Sequence, residues 1–266
     1  MTSSFLLPRR ALGQTGIEVS CLGLGTVKFG RTRNLKYPKA FDLPDDTSLR
    51  HLLDCARDSR INLLATAPAY GISEERLGEL LKSSRQDWII STKAGEEFQV
   101  NTATGEAKSH FDFSAKHLRM SIERSLRRLR TDYLDIVLLH SDGEDVQLLT
   151  QTDAVETLEK LKQKGWIRAH GASTKTLEGG KLAAKLLDLV MVTYNSQQPE
   201  ELAVIQECER LQKGVLLKKV FASGQDSSIE SALQFALAPA AVSSAVIGTI
   251  NPEHLLENVR AVAGMN

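Results

Sequence analysis

Leu134-Asp135-Ile136-Val137-Leu138-Leu139-His140 is a nearly unbroken apolar run that ends on a histidine. A strand with one wet face alternates polar and apolar residues. This one does not, so it reads as a strand buried on both faces, as in a parallel sheet covered by helices. Just before it, Leu118, Ile122, Leu126 and Leu129 recur at helical spacing behind Ser114, a plausible N-cap. Arg119, Arg124, Arg127, Arg128 and Arg130 mostly face elsewhere and read as a solvated outer helix face.

The same strand–helix alternation extends in both directions. Candidate strands are 20–25, 61–65, 88–93, 134–140, 167–172, 187–193, 214–218 and 244–248, and amphipathic stretches lie near 46–59, 73–84, 114–129, 150–164, 175–186, 200–212, 228–237 and 252–263. Ser73 is expected to cap the second helix, and Asn251-Pro252-Glu253 supplies a cap, a first-turn proline and an acid to the last. Eight units fit an α/β fold, the (β/α)8 TIM barrel, whose usual size is ~250 residues. An open doubly wound sheet is disfavoured because Gly23-Leu24-Gly25-Thr26 lacks the third glycine of a dinucleotide fingerprint. Ahead of the first barrel strand, 10–13 and 17–20 flank Gln14-Thr15-Gly16 and predict a β-hairpin that plugs the barrel bottom. One domain over residues 1–266 is expected.

Composition narrows the function classes. The 266 residues carry 33 basic and 33 acidic side chains, and that balance argues against a nucleic-acid partner. No apolar run approaches the ~20 residues of a membrane span, and the N-terminus lacks a signal-peptide plan. Cys21, Cys55 and Cys208 are far apart and match neither a disulfide frame nor a metal site, so a cytoplasmic protein without metal is expected. His51, His110 and His117 read as surface residues, and His170, inside a strand, as packed.

Barrel chemistry gathers at the C-terminal ends of the strands. There the second strand runs out to Tyr70, the third ends on Lys93 and the fourth on His140. Each has an innocent reading alone: a packed phenol, a snorkelling lysine, a hydrogen-bonded buried imidazole. Together on one rim they suit protonation of a carbonyl oxygen while hydride arrives at carbon, because a nearby ammonium stabilises a tyrosinate.

These residues, with Leu12-Gly13-Gln14-Thr15-Gly16, Ala67-Pro68-Ala69-Tyr70-Gly71-Ile72-Ser73-Glu74, Ser91-Thr92-Lys93, Asp132-Tyr133-Leu134-Asp135 and Val246-Ile247-Gly248-Thr249, resemble the aldo-keto reductase superfamily over nearly the whole chain. The resemblance implies an NADP(H)-dependent oxidoreductase that reduces small aldehydes or ketones, with Tyr70, Lys93 and His140 as the catalytic group and Tyr70 as proton donor. It implies cofactor contacts at Gly25, Thr26, Ser173, Thr174, Met191, Lys218, Lys219, Ser223, Gly248, Thr249, His254, Glu257 and Asn258.

The departures from the family pattern are informative. Ala65 stands where the family's fourth catalytic residue, an aspartate, should be, which leaves Lys93 without an obvious counter-ion and predicts weakened reduction. Met191 replaces a glutamine, Thr174 an asparagine, and Lys218 an aromatic residue that stacks on the nicotinamide; Lys218 is expected either to pair with a cofactor phosphate or to face solvent. His254 replaces an arginine that clasps the 2′-phosphate, so NADPH is the expected cofactor with NADH possible. A non-catalytic nucleotide sensor would also explain Ala65, Met191 and Lys218, and a Schiff-base aldolase using Lys93 or Lys218 is a distant third. The long segment 96–113 is expected to be a top loop, with Phe29, Phe98 and Phe221 as candidate pocket walls.

Overall fold

Among residues 7–35, 41–101, 104–222 and 228–264, which the computed structural model describes, the run 134–140 is a strand of a closed barrel. In chain order the strands are β1 (Arg9–Ala11), β2 (Glu18–Ser20), β3 (Leu22–Gly25), β4 (Leu63–Ala65), β5 (Ile89–Ala94), β6 (Glu96–Val100) and β7 (Ala107–Phe111). They continue with β8 (Leu134–His140), β9 (Ile167–Ser173), β10 (Leu189–Thr193), β11 (Gly214–Lys218) and β12 (Val242–Ile247). The barrel closes in the order β3-β4-β5-β8-β9-β10-β11-β12, with all its pairs parallel.

The helices are α1 (Asp46–Asp58), α2 (Ser73–Leu80), α3 (Ala115–Arg128), α4 (Asp145–Thr150), α5 (Ala154–Gln163), α6 (Leu177–Leu186), α7 (Leu202–Arg210), α8 (Ile229–Leu237) and α9 (Pro252–Ala263). None is long and apolar enough to cross a membrane among the described residues. The helix ends largely follow the sequence signals. Ser114 Oγ accepts from the His117 amide and Asn251 Oδ1 from the Glu253 amide. Ser73 departs from its expected role: it is the first residue inside α2, and its buried Oγ binds Thr26 and Thr66, tying the helix to the barrel rim.

Both faces of the barrel wall are buried, as the unbroken run of β8 requires. Ile136 and Leu138 point inward with Leu63, Ala169, Leu189, Met191 and Leu216, while Val137 and Leu139 pack outward against the helices. The expected hairpin is β1–β2 with its turn near Gly13 and Gly16. Leu12, Ile17 and Val19 close the inner cluster from below, so it does plug the barrel.

Three further expectations fail. Segment 96–113 contains a paired ribbon, β6 against β7, with Glu96 opposite Phe111 and Val100 opposite Ala107. The arginines on and just after α3 are not merely solvated: Arg124 pairs with Glu97, Arg128 with Glu74 and Glu75, and Arg130 with Glu79, which fastens this segment to α2 and to the ribbon. His117 is also mostly covered, 3.4 Å from Glu97.

Candidate active site

Side chains alternate along a strand, so the inward parity that fills the barrel floor also selects which residues face its mouth. Counting up from Leu63, Ile136, Ala169, Leu189 and Leu216, the inward positions at the C-terminal ends are Ala65, His140, Ser173, Thr193 and Lys218. With Gly25, Lys93 and Val246 they line one cavity of about 950 Å³. The register sets neighbours side by side, as with Gly25 against Ala65, His140 against Ser173 and Thr193 against Lys218.

Tyr70 reaches this mouth from a short 3₁₀ turn, Pro68–Tyr70, just beyond β4. Gly71 follows at φ +63°, and a side chain there would strike the Gly30 carbonyl, so the turn depends on that glycine. The Lys93 ammonium donates to Tyr70 Oη over 3.1 Å and to the Thr66 carbonyl over 2.8 Å. Ala65 lines the cavity wall as a buried methyl group. Among the described residues Lys93 has no carboxylate within ion-pair distance.

His140 completes the cluster, its ring edge-on to Tyr70 with centroids 6.3 Å apart. Its Nδ1 lies 2.7 Å from Glu96 Oε2. Glu96 is the first residue of β6. Its other oxygen accepts from Ser109 Oγ at 2.6 Å, and Arg31 stands 4.0 Å away. Arg31 in turn donates to the Ala69 carbonyl and lies over the Phe98 ring, 3.5 Å from its centroid. Burial would raise the Glu96 carboxyl, but His140, Ser109 and Arg31 outweigh it and bring its pKa down to about 2. Burial drives His140 the opposite way; Glu96 resists, the Lys93 and Lys218 charges assist, and the imidazole settles near 4. At neutral pH the pair is therefore a carboxylate beside a neutral ring.

Lys218 turns in to the cavity and not out to open solvent. Its ammonium is enclosed on the cavity floor, donating to Ser173 Oγ at 2.8 Å and to the Thr174 carbonyl at 2.7 Å. Desolvation, with Lys219 and Lys93 nearby, lowers its pKa to about 7, against the pull of Asp145 and Glu201. Glu201, whose Oε2 is buried without a partner, is raised by burial to about 7.

Of the other sequence-selected residues, Gly25, Thr26, Ser173, Met191, Lys219, Gly248 and His254 line the same cavity. Thr174 does not, because it follows Ser173 on the strand's opposite parity; its Oγ1 is buried towards Gly180 of α6. Thr249 accepts from the Asn251 amide, and Glu257 is exposed on α9. Asn258 is buried, giving Nδ2 to the His254 carbonyl and leaving Oδ1 unpartnered. Ser223 lies outside the described residues. Phe221 lines the cavity, Phe29 is fully buried in the cluster between barrel and helices, and Phe98 packs on Arg31. Glu96, Arg31, Ser109 and Glu201 were not selected from sequence as site residues, and the polar β6–β7 ribbon carries no local signal that marks Glu96.

A closed parallel barrel with tyrosine, lysine and histidine gathered on its C-terminal rim defines a class of carbonyl-handling barrel proteins. The chain belongs to the aldo/keto reductase family, whose model matches residues 21–215. It is an oxidoreductase of that family, whose members use NAD(P)H. A Pseudomonas aeruginosa protein assigned to the aldo-keto reductases is 48% identical, with a TM-score of 0.87 over 96% of this chain and 95% of that one. An aldo-keto reductase from Bacillus halodurans in its holo form is 27% identical, with a TM-score of 0.80 over 96% and 91%. A D-threo-aldose 1-dehydrogenase from a Pseudomonas species is 26% identical over 95% of this chain and 92% of its own.

Proposed function

We propose that this protein reduces small aldehydes or ketones to alcohols, with Tyr70 as the proton donor and NADPH as the reductant. The observation that carries the reading is the 3.1 Å contact from Lys93 Nζ to Tyr70 Oη at the mouth of the cavity. An ammonium at that distance stabilises the phenolate left behind when Tyr70 gives up its proton. When bound, the nicotinamide supplies hydride to the carbonyl carbon. Tyr70 supplies the proton to the oxygen, so the product is a neutral alcohol, and Tyr70 regains its proton from solvent.

The cavity suits a dinucleotide in this chain. Ser173, Met191 and Lys218 would hold the reacting end, while Gly248, His254 and the capped start of α9 would hold the phosphate and adenosine end. The unpartnered Asn258 Oδ1 leaves an acceptor on that side. His254 at this end favours NADPH over NADH through its capacity for positive charge.

Ala65 weakens the reaction in this reading. The Thr66 carbonyl is Lys93's other acceptor, and a carbonyl dipole compensates an ammonium less than a carboxylate does. A binding-only protein is the reading that the same residue favours. Mixing the protein with NADPH and 4-nitrobenzaldehyde separates them: NADPH oxidation supports the reductase, and tight binding without oxidation supports the sensor.

A further inference from the structure

We propose that Lys218 is an imine-forming amine that captures small aldehydes carrying a carboxylate, with Glu201 moving the protons of the capture. This activity is separate from carbonyl reduction and uses no nucleotide.

The placement of the amine carries the inference. Lys218 ends β11 as a half-buried residue on the lining of the cavity. Its Nζ donates to Ser173 Oγ at 2.8 Å and to the Thr174 carbonyl at 2.7 Å, and has no further partner among the described residues. Those two bonds and Cε fill three of the four tetrahedral directions at nitrogen. A neutral amine has two hydrogens and one lone pair, so the lone pair takes the fourth. Burial, Lys219 and Lys93 bring the pKa to about 7 against Asp145 and Glu201, and His140, which also faces Lys218, is neutral at that pH. Roughly half of the amine is then free of its proton, against roughly one in 2,500 for an exposed lysine. Lys93 is a poorer candidate, because it is almost fully buried and committed to Tyr70 Oη and the Thr66 carbonyl.

Glu201 supplies what an imine needs besides the amine. It lines the same cavity, its Oε2 is buried without a partner, and its charge is among those that act on Lys218. Held near 7 by burial, its carboxyl both gives and takes a proton at neutral pH. The Nζ lone pair bonds to the aldehyde carbon as the carbonyl π pair moves to oxygen, which takes the Glu201 proton. The new nitrogen cation returns a proton to Glu201, leaving a neutral carbinolamine. Its hydroxyl then leaves as water with that proton, and the nitrogen pair closes the C=N bond. The product is an iminium beside the Glu201 carboxylate; one water is lost and nothing is oxidised. The lining selects the aldehyde: Lys93, Lys175 and Lys219 share it with Lys218, against Glu200 and Glu201, so a carboxylate on the aldehyde meets an excess of positive charge.

Trapping the full chain with glyoxylate and cyanoborohydride at pH 7, followed by peptide mass mapping, tests this. The expected product is carboxymethyl-lysine at Lys218, formed about 100-fold faster than at exposed lysines. No adduct, an adduct on Lys93 in its place, or modification spread evenly over surface lysines overturns the proposal. Acetaldehyde has the same length without the carboxylate. With each aldehyde scaled to its rate on Nα-acetyl-lysine, acetaldehyde should react at Lys218 about tenfold more slowly, and equal scaled rates refute the choice of an anionic aldehyde. Glu201→Gln separates proton transfer from simple electrostatics. Loss of its charge alone frees more of the Lys218 amine and speeds trapping, whereas loss of a proton carrier slows it. The expected result is trapping slowed about tenfold or more, and an unchanged or faster rate overturns the role given to Glu201.

Discussion

Replacing Lys218 by methionine should stabilise the protein at neutral and mildly acidic pH. The ammonium sits on the cavity floor with its pKa down from 10.5 to about 7, mainly through desolvation. A folded-state pKa below the unfolded one means that the folded chain releases this proton more readily. The penalty is absent above the unfolded value of 10.5, grows as pH falls and is complete below about 7. At ~1.4 kcal/mol per unit, the 3.5-unit difference sets an upper bound of roughly 5 kcal/mol. Two effects reduce it: the contacts to Ser173 Oγ and the Thr174 carbonyl disappear, and the open cavity admits water around the stem. Methionine fills a similar volume, leaving an expected gain of about 1–3 kcal/mol at pH 6.5. For a chain of this size that is a rise in Tm of roughly 2–10 °C. Thermal scans of both proteins at pH 6.5, 8 and 9.5 should show the gain shrinking as pH rises. A variant less stable at pH 6.5, or a gain that does not change with pH, would refute the reasoning.

Three further outcomes follow from the site. Ala65→Asp places a carboxylate on the cavity wall facing Lys93 and should raise kcat about tenfold or more with 4-nitrobenzaldehyde; an unchanged or lower kcat counts against the role given to Ala65. Gly71→Ala drives a methyl group into the Gly30 carbonyl at positive φ, so stability should fall by about 1–3 kcal/mol and kcat should drop as Tyr70 shifts, both checked on purified protein. The His140–Glu96 pair should make the protein acid-labile. Both folded pKa values are depressed, from 6.5 to about 4 and from 4.5 to about 2, so their stabilising balance holds at neutral pH and erodes as pH falls from about 6.5 towards 2. His140→Asn, followed by urea unfolding at pH 7 and pH 4, should flatten that slope, and an unaltered slope would be inconsistent with the pair.

The sequence made the barrel legible because parallel strands buried on both faces write themselves as unbroken apolar runs, and 134–140 is the clearest. Strand ends then located Lys93 and His140, because inward parity at the C-terminal end is a local property of each strand, and Tyr70 lies on the turn just beyond β4. What stayed hidden was relational. Glu96 looked like a loop acid because the β6–β7 ribbon is polar and narrow, with no core to imprint hydrophobic alternation on it. Lys218 was equally unreadable: whether a lysine at a strand end reaches solvent or folds over the floor depends on Ser173 and the Thr174 carbonyl, from a strand 45 residues earlier. Thr174 shows the converse, since counting parity from Ser173 would already have turned it away from the cavity. The arginines of α3 had acids waiting on α2, which periodicity within one helix cannot reveal.

The central claim is that Tyr70, assisted by Lys93, gives its proton to a carbonyl oxygen as NADPH is oxidised. It is tested most directly by single-turnover NADPH oxidation with 4-nitrobenzaldehyde in the native protein and in Tyr70→Phe, with NADPH affinity measured alongside. The expected result is oxidation by the native protein and a loss of about 100-fold or more in the variant at unchanged NADPH affinity. Equal rates in the two proteins, or no oxidation by the native protein despite bound NADPH, would contradict the account.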